Sequence, residues 1–104
     1  MSRQEVIKRI SEALNSLEGL ETILFGSSAR GDYNENSDID LLILLPDSLS
    51  VKERIDMETT LSSILLDIEL ESNYEISPVI LQKKIWNQRV TPFTLNVTNQ
   101  GILL

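Results

Sequence analysis

One stretch limits what this chain can fold into more than any other, the run IDLLILL from Ile39 to Leu45. Every residue of the run except Asp40 is a branched aliphatic residue, so both faces of an extended strand would be apolar. Such a strand is stable when other layers cover both faces of its sheet. Pro46 and Asp47 end the run, because proline interrupts strand pairing. The run therefore predicts a central strand with packing layers on both sides.

The chain before this run predicts a helix and a first strand. Ser2 and Glu5 have the spacing of a capping box, in which each side chain accepts a hydrogen bond from the other residue's backbone N–H. A helix is expected at about residues 2–18, and Gly19 is a natural stop. The short apolar stretch Leu20–Phe25 then predicts a strand. The helix would bury one apolar face, made of Val6, Ile7, Ile10, Ala13, Leu14 and Leu17.

A long helix is expected after the central run. Ser50 and Glu53 repeat the capping-box pattern, and the helix should run from about residue 51 to 71. Apolar residues recur along it at the spacing of an amphipathic helix. The side chains expected to be buried are Val51, Ile55, Leu61, Ile64, Leu65 and Ile68.

The remainder of the sequence predicts one more strand and two short helices. Tyr74–Leu81 is the strand, and Pro78 inside it indicates an edge position or a bulge. Lys83–Val90 is expected to be helical, and Thr91 followed by Pro92 opens a final helix. The order is helix, strand, strand, helix, strand, helix, which predicts an α+β fold with a small mixed sheet.

Length and composition narrow the class of protein. The 104 residues suit a single domain covering residues 1–104. The absence of cysteine and histidine excludes disulfides, zinc sites built on those residues and Ser–His–Asp chemistry. No apolar run approaches the roughly 20 residues of a membrane helix, and no signal core is present at the N-terminus. A cytoplasmic protein without a membrane segment is expected.

The net charge of the chain bears on which partners it can bind. The net charge of -7, from 9 basic and 16 acidic residues, predicts a poor nonspecific binder of nucleic acids. Such a charge either keeps the protein dissolved or suits a basic protein partner. The apolar tail Gly101–Leu104 either closes the core or contributes to an interface, and assembly into a homo-oligomer is a further option.

Two carboxylates stand at the front of the central strand. Asp38 and Asp40 are two residues apart, so on a strand their side chains project to the same face while Ile39 faces the core. Two neighbouring anions repel each other, and a bound divalent cation removes that repulsion. Magnesium, or manganese in its place, accepts carboxylate oxygens and substrate phosphate as ligands. A lone pair of this kind is more often a solvated strand end than a metal site.

The turn before the loop adds phosphate-binding chemistry. Gly26 leaves the first strand where a side chain would block close approach, and Gly31 lets the turn close. Ser27 offers a hydroxyl and an N–H at what could be a helix start, where anions are favoured. Arg30 either contacts phosphate or pairs with a nearby acid. Tyr33 lies in the polar loop that follows. It could stack on a base, but an exposed loop residue is the preferred interpretation.

Together these residues resemble a known signature. Gly26-Ser27, ten residues and Asp38-x-Asp40 match the G-S-x10-D-x-D pattern of the DNA polymerase beta-type nucleotidyltransferase superfamily. The fuller string G-S-x-A-R-G-x6-S-D-x-D-L resembles the minimal nucleotidyltransferases, among them MntA-like antitoxins encoded beside HEPN-domain ribonuclease toxins. The resemblance implies the polymerase beta-type fold, two bound metal ions and ATP as substrate.

The resemblance also implies a third carboxylate on a later strand. Glu75 is the candidate, although the family usually carries aspartate there. The alternative interpretation is that Glu75 is only the polar start of an edge strand. Glu69 and Glu71 fit less well, because they lie near the end of a helix.

The function implied by the resemblance is transfer of AMP from ATP to a hydroxyl group, here a tyrosine of a partner HEPN-domain toxin. Two alternatives stay open. One is an antitoxin with a weak or inactive site that neutralises its partner by contact, and the other is a subunit that modifies a small molecule held by a separate chain. The residues assigned to catalysis and metal binding are Asp38, Asp40 and Glu75, and those assigned to phosphate are Gly26, Ser27 and Arg30.

Overall fold

The computed structural model describes residues 1–31, 34 and 37–104. The predicted loop at residues 32–37 therefore lies largely outside the described residues, as does Tyr33. In chain order the elements are α1 Arg3–Asn15, β1 Glu21–Phe25, α2 Ser27–Arg30, β2 Ile39–Leu45, α3 Val51–Ser72, β3 Ile76–Gln82, α4 Lys83–Gln88, α5 Pro92–Gln100 and β4 Ile102–Leu103.

The sheet has four strands in the order β3-β2-β1-β4. Strand β2 is antiparallel to β1 and parallel to β3, and β1 is antiparallel to β4. The parallel pair requires a crossover connection, which α3 provides. Strand β3 is an edge strand, which is where Pro78 was expected because proline cannot donate to a neighbouring strand. The predicted α+β class with a small mixed sheet is confirmed.

The central run packs on both faces, as its composition predicts. Residues Ile39, Leu41, Ile43 and Leu45 belong to one core cluster with buried side chains of α1 and α3. Leu42 and Leu44 belong to a second cluster on the opposite face, with Val97 of α5 and Trp86 of α4. The two clusters place α1 and α3 on one side of the sheet and α4 and α5 on the other.

Both capping boxes form as predicted. Ser2 and Glu5 cap the N-terminus of α1, and Ser50 and Glu53 cap the N-terminus of α3. In each pair, each side chain accepts a hydrogen bond from the backbone N–H of the other residue. Helix α1 ends sooner than expected, at Asn15, and the chain then runs through a short turn to Gly19.

The predicted burial of two side chains of α3 is wrong. Val51 is 66% exposed and Ile55 is 52% exposed, whereas Leu61, Leu65 and Ile68 are buried. With 3.6 residues per turn, Val51 and Ile55 lie on a different side of the helix from Leu61. Both side chains are exposed to solvent, and the spacing of apolar residues in the sequence did not distinguish them from the buried ones. No helix in the described part of the chain, α3 included, is long and apolar enough to cross a membrane.

The apolar tail forms a strand that the sequence did not predict. Ile102 and Leu103 pair with β1, and the backbone N–H of Leu104 donates to the Thr22 carbonyl at 2.8 Å. Leu104 packs against the first core cluster, while Leu103 is 69% exposed. A strand of two residues is too short to show the alternation of apolar and polar residues that predicts a strand. It is therefore recognised only by its pairing with β1.

Candidate active site

The two aspartates lie at the start of β2, on the face of the sheet that carries α4 and α5. Asp40 is paired with Phe25 of β1 on one side and with Ser77 of β3 on the other. Ile39 between the aspartates is fully buried on the opposite face. Its N–H donates to the Glu75 carbonyl at 2.8 Å, which holds the starts of β2 and β3 together.

The parallel pairing of β2 with β3 brings the third predicted carboxylate to the same place. Glu75 directly precedes β3, and its exposed carboxyl group is hydrogen-bonded to Asp38. The Ser77 hydroxyl donates to Asp38 Oδ2 at 3.0 Å. Asp38 therefore interacts with both of the other acidic side chains at the starts of two neighbouring strands.

The other two glutamates are engaged elsewhere. Glu69 Oε1 accepts a hydrogen bond from the Ile76 N–H at 2.7 Å. Glu71 forms an exposed ion pair with Arg9 at 2.8 Å. Glu75 therefore interacts directly with Asp38, while the negative charge of Glu69 adds to the rise in the pKa of Glu75.

Electrostatic crowding shows in the pKa values of these groups. Partial burial, followed by the negative charge of Asp38, raises the pKa of Asp40, and the charges of Arg3 and Arg30 offset part of that rise. A hydrogen bond to Asp38, followed by the charge of the same group, raises the pKa of Glu75. Both directions are those expected when anions share a site without a cation.

The donor set suits a hard divalent cation. Carboxylate oxygens are the ligands that magnesium and manganese prefer, and one cation would relieve the repulsion centred on Asp38. Within the described ranges, no three acidic side chains already converge as a finished metal cluster. Asp38 instead acts on each of the other two carboxyl groups, on Asp40 through its charge and on Glu75 through a hydrogen bond and its charge.

Gly26 occupies a position that only glycine can fill. Its φ of 69° and ψ of -152° lie in a region essentially restricted to glycine. A Cβ built there would lie 2.3 Å from Asp40 Oδ2. The absence of a side chain at Gly26 thus lets the Asp40 carboxylate sit directly against the loop.

The loop then turns into the short helix α2. Helix α2 begins at Ser27, and Gly31 ends it with a left-handed φ of 81°. The N–H groups of Ser27 and Ser28 belong to the first turn and have no acceptor inside the helix, so they are available to an anion. Arg30, at the end of α2, acts on Asp40 through its charge.

One residue of the site was missed by the sequence interpretation. The Arg3 side chain is only 5% exposed and reaches from α1 into the loop. Its guanidinium donates to the Ser37 and Asp38 carbonyls at 2.7 and 2.8 Å, and to the Ser28 hydroxyl. The sequence did contain a signal for this role. Arg3 lies three residues before Val6, so the helix places a cation on its buried face.

Comparison with known proteins agrees with this geometry. The model of the nucleotidyltransferase domain family matches residues 7–90. The "Putative protein adenylyltransferase MJ0141" of Methanocaldococcus jannaschii is 36% identical over 101 residues, which cover 94% of each chain. A crystal structure of a toxin–antitoxin with AMP-PNP shares the fold, with a TM-score of 0.57 at 20% identity over 98% of this chain and 72% of that chain. The toxin–antitoxin MntA–HepT gives a TM-score of 0.54 at 20% identity, over 97% and 70%.

The chain belongs to the nucleotidyltransferase domain family, and it is a nucleotidyltransferase. More narrowly, it is a minimal nucleotidyltransferase with the polymerase beta-type α+β fold that the MntA–HepT structure also contains. The resemblance and the fold class inferred from the sequence are therefore confirmed.

Proposed function

We propose that this protein transfers AMP from ATP to a hydroxyl group, with Asp38, Asp40 and Glu75 as catalytic residues. The observation that carries the proposal is the interaction of Asp38 with both Asp40 and Glu75, together with the close approach of Asp40 to the loop that starts at Gly26. In that position a triphosphate at the loop and an acceptor hydroxyl near β3 would flank the same two aspartates.

Each side chain then has a role. Asp38, Asp40 and Glu75 would hold two magnesium ions, or manganese in their place. Such ions, when bound, supply Lewis acidity toward the phosphate oxygens and the acceptor hydroxyl. The first turn of α2, with Ser27, orients the triphosphate, and Arg30 adds positive charge beside it. No histidine or cysteine is needed, because positioning and charge stabilisation carry this chemistry.

Glu75 would act as the general base. In this proposal the acceptor hydroxyl lies on the β3 side of Asp38, beside the Glu75 carboxylate, which can accept its proton. The acceptor oxygen forms a bond to the α-phosphorus, the bond from that phosphorus to the bridging oxygen breaks, and pyrophosphate leaves. The acceptor's proton goes to Glu75.

We further propose that the acceptor is a tyrosine of a partner HEPN-domain toxin, and that the protein works as its antitoxin in the cytoplasm. The name of the Methanocaldococcus relative supports a protein acceptor for that relative, and the MntA–HepT fold neighbour supports a toxin partner. A net charge of -7 suits a basic partner surface. The expected association should therefore weaken as ionic strength rises.

Labelling with ATP that carries a radioactive α-phosphate tests this function. The purified chain is mixed with the toxin encoded beside it, with magnesium and either ATP or a γ-labelled control nucleotide. We expect label from the α-phosphate, and none from the γ-phosphate, on a toxin tyrosine mapped by mass spectrometry. Asp38→Asn and Asp40→Asn should abolish the labelling, and Asp67→Asn, an exposed aspartate of α3, should not affect it.

The alternatives are distinguished by the same assay. If the toxin is inhibited equally by wild type and by the Asp38→Asn, Asp40→Asn double variant without labelling, neutralisation by contact is correct instead. If the label appears on a small molecule bound by a separate chain, the acceptor assignment is wrong while the transfer chemistry stands.

A further inference from the structure

Helix α3 exposes four large apolar side chains. Val51, Ile55, Leu66 and Leu70 are 66%, 52%, 52% and 71% exposed. At 3.6 residues per turn they fall within an arc of about 100°, on a different side of the helix from the buried Leu61. We call these four residues the α3 stripe. Exposed apolar residues that line up in this way, rather than occurring singly, are typical of an interaction surface.

The α3 stripe lies away from the aspartate pair. Helix α3 covers the face of the sheet that carries the first core cluster, whereas Asp40 and Phe25 project from the other face. Helix α1 packs on a different side of α3, where Arg9 pairs with Glu71. A partner bound at the α3 stripe would therefore leave the aspartates open.

The stripe reads the same from either end of the helix. Three pairs of exposed residues share one midpoint near the centre of α3, namely Val51 with Leu70, Ile55 with Leu66, and Thr59 with Ser62. An antiparallel copy of α3 centred on that midpoint sets each member of a pair against the other, and two-fold symmetry makes each contact occur twice. The small hydroxyl residues lie in the middle, where two crossing helices approach each other most closely.

The charges of α3 favour the same antiparallel arrangement. Both basic residues of the helix, Lys52 and Arg54, lie in its first turn. The charged residues of its last two turns are all acidic, namely Asp67, Glu69 and Glu71. An antiparallel copy brings each basic end over an acidic end, whereas a parallel copy would bring the two acidic ends together. The α3 stripe is therefore complementary to itself both in its apolar pattern and in its charge.

We propose that two copies of this chain associate through the α3 stripe as a two-fold symmetric dimer with antiparallel α3 helices. Ile55 of one copy packs against Leu66 of the other, and Val51 packs against Leu70. One pair of helices buries less surface than a standard protein interface, so the dimer should dissociate in roughly the micromolar range. This inference does not depend on the proposed nucleotidyl transfer.

Sedimentation velocity at protein concentrations up to roughly 1 mM measures this association. Wild type should change from monomer to dimer as its concentration rises. Ile55→Lys and Leu66→Glu should each raise the dissociation constant about tenfold or more, because symmetry buries each new charge twice without a partner. The combined variant should recover the dimer, since each new lysine then faces a new glutamate. Thr60→Lys and Thr60→Glu, at an exposed position of α3 outside the stripe, are the matched controls and should behave as wild type.

Crosslinking through introduced cysteines tests the register of the two helices. The chain has no cysteine of its own, so each variant carries a single thiol. A short thiol-specific crosslinker should join Ile55→Cys to Leu66→Cys when the two variants are mixed. It should not join two molecules of Ile55→Cys, because their thiols would lie about 16 Å apart along the helix axis.

The outcomes separate this inference from the proposed function. A wild-type chain that stays monomeric at every concentration overturns the dimer, and so does a dimer that Ile55→Lys and Leu66→Glu leave unchanged. Crosslinking of Ile55→Cys to itself contradicts the register. If the two charge variants instead weaken the binding of a toxin to a monomeric chain, the α3 stripe belongs to that interface and the dimer is wrong. Labelling from the α-phosphate of ATP is read separately, so AMP transfer can fail while the dimer stands, and the reverse.

Discussion

Two residues, Gly26 and Arg3, determine how closely the loop after β1 approaches Asp38 and Asp40. Gly26 has a backbone conformation that other residues adopt only at a cost, and its missing Cβ leaves room for the Asp40 carboxylate. Arg3 is the second such residue, because its buried guanidinium ties the backbone before β2 to helix α2. Gly26 thus acts on the position of the Asp40 carboxylate, and Arg3 on the backbone of Asp38.

Substitution of Gly26 by alanine should damage both stability and activity. The added Cβ would meet Asp40 Oδ2 at 2.3 Å, so either the loop or the carboxylate must move. The forbidden backbone conformation alone should cost about 1–3 kcal/mol. Chemical denaturation measures the first effect and AMP transfer the second. A variant with wild-type transfer would show that the close approach at Gly26 is not required.

Substitution of Arg3 should lower the rate of AMP transfer even where the protein remains folded. Arg3→Met removes the donors to the Ser37 and Asp38 carbonyls, and a misplacement of about 1 Å can cost roughly 100-fold in rate. Arg3→Lys keeps the charge and should recover part of the rate. The measurement is kcat at a temperature where circular dichroism shows each variant folded.

The matched control for Arg3 lies on the same helix. Arg9 pairs with Glu71 at the surface, 44% exposed, so Arg9→Met should leave kcat unchanged. If Arg3→Met and Arg9→Met have the same rate as wild type, Arg3 is structural only.

At the scale of elements, helix ends and strand pairing bring the site together. The capping box of α3 fixes where the crossover from β2 to β3 begins, and the parallel pairing then sets Glu75 beside Asp38. Strand β4 covers the outer edge of β1, the strand that leads into Gly26. The helix cap, which is local, and the strand pairing, which is long-range, thus together determine where Glu75 lies relative to Asp38.

The cap of α3 should make stability depend on pH. Hydrogen bonds from the backbone and the hydroxyl of Ser50 lower the pKa of Glu53, so the ionised form is favoured in the folded state. This contribution is present above the unfolded pKa, about 4.3, and is lost as pH falls through the lower folded pKa. Glu53→Gln should therefore melt below wild type at pH 7 and converge with it in acid.

Thermal melts between pH 7 and pH 3 check this expectation. Glu18→Gln, an exposed glutamate between α1 and β1, is the control and should show no such convergence. A gap between Glu53→Gln and wild type that stays constant with pH would contradict the assignment of the cap to a charged carboxylate.

For the whole molecule, the crowded carboxylates lower the stability of the folded state when no cation is bound. Burial and the charge of Asp38 raise the pKa of Asp40, so the ionised form of this group is disfavoured by folding. Its penalty is present at neutral pH and disappears as pH falls below the unfolded pKa. Asp40→Asn should therefore melt at a higher temperature than wild type at pH 7 in EDTA.

Magnesium should reverse that order. Ligands that bind only the folded state stabilise it, so magnesium with ATP should raise the melting temperature of wild type and not that of Asp40→Asn. The measurement is a thermal melt of both proteins in EDTA and in magnesium with ATP. An equal rise in both proteins would place the nucleotide away from Asp40.

Much of this protein was predictable from short stretches of sequence. The apolar run Ile39–Leu45 predicts a central strand, and the spacing of Ser2 with Glu5 and of Ser50 with Glu53 predicts two helix starts. The motif from Gly26 to Asp40 led to the family. Each of these depends on residues a few positions apart, because helix caps, turns and strand faces are set by local backbone geometry.

Tertiary structure alone decided the rest. The strand at Ile102–Leu103, the outward side of Val51 and Ile55, and the reach of Arg3 to Asp38 depend on how elements pack. The contact of Glu75 with Asp38 likewise follows from the pairing of β2 with β3. The physical reason is that such contacts join residues far apart in the chain. Their partners are chosen by burial and hydrogen bonding across the whole fold rather than by local spacing.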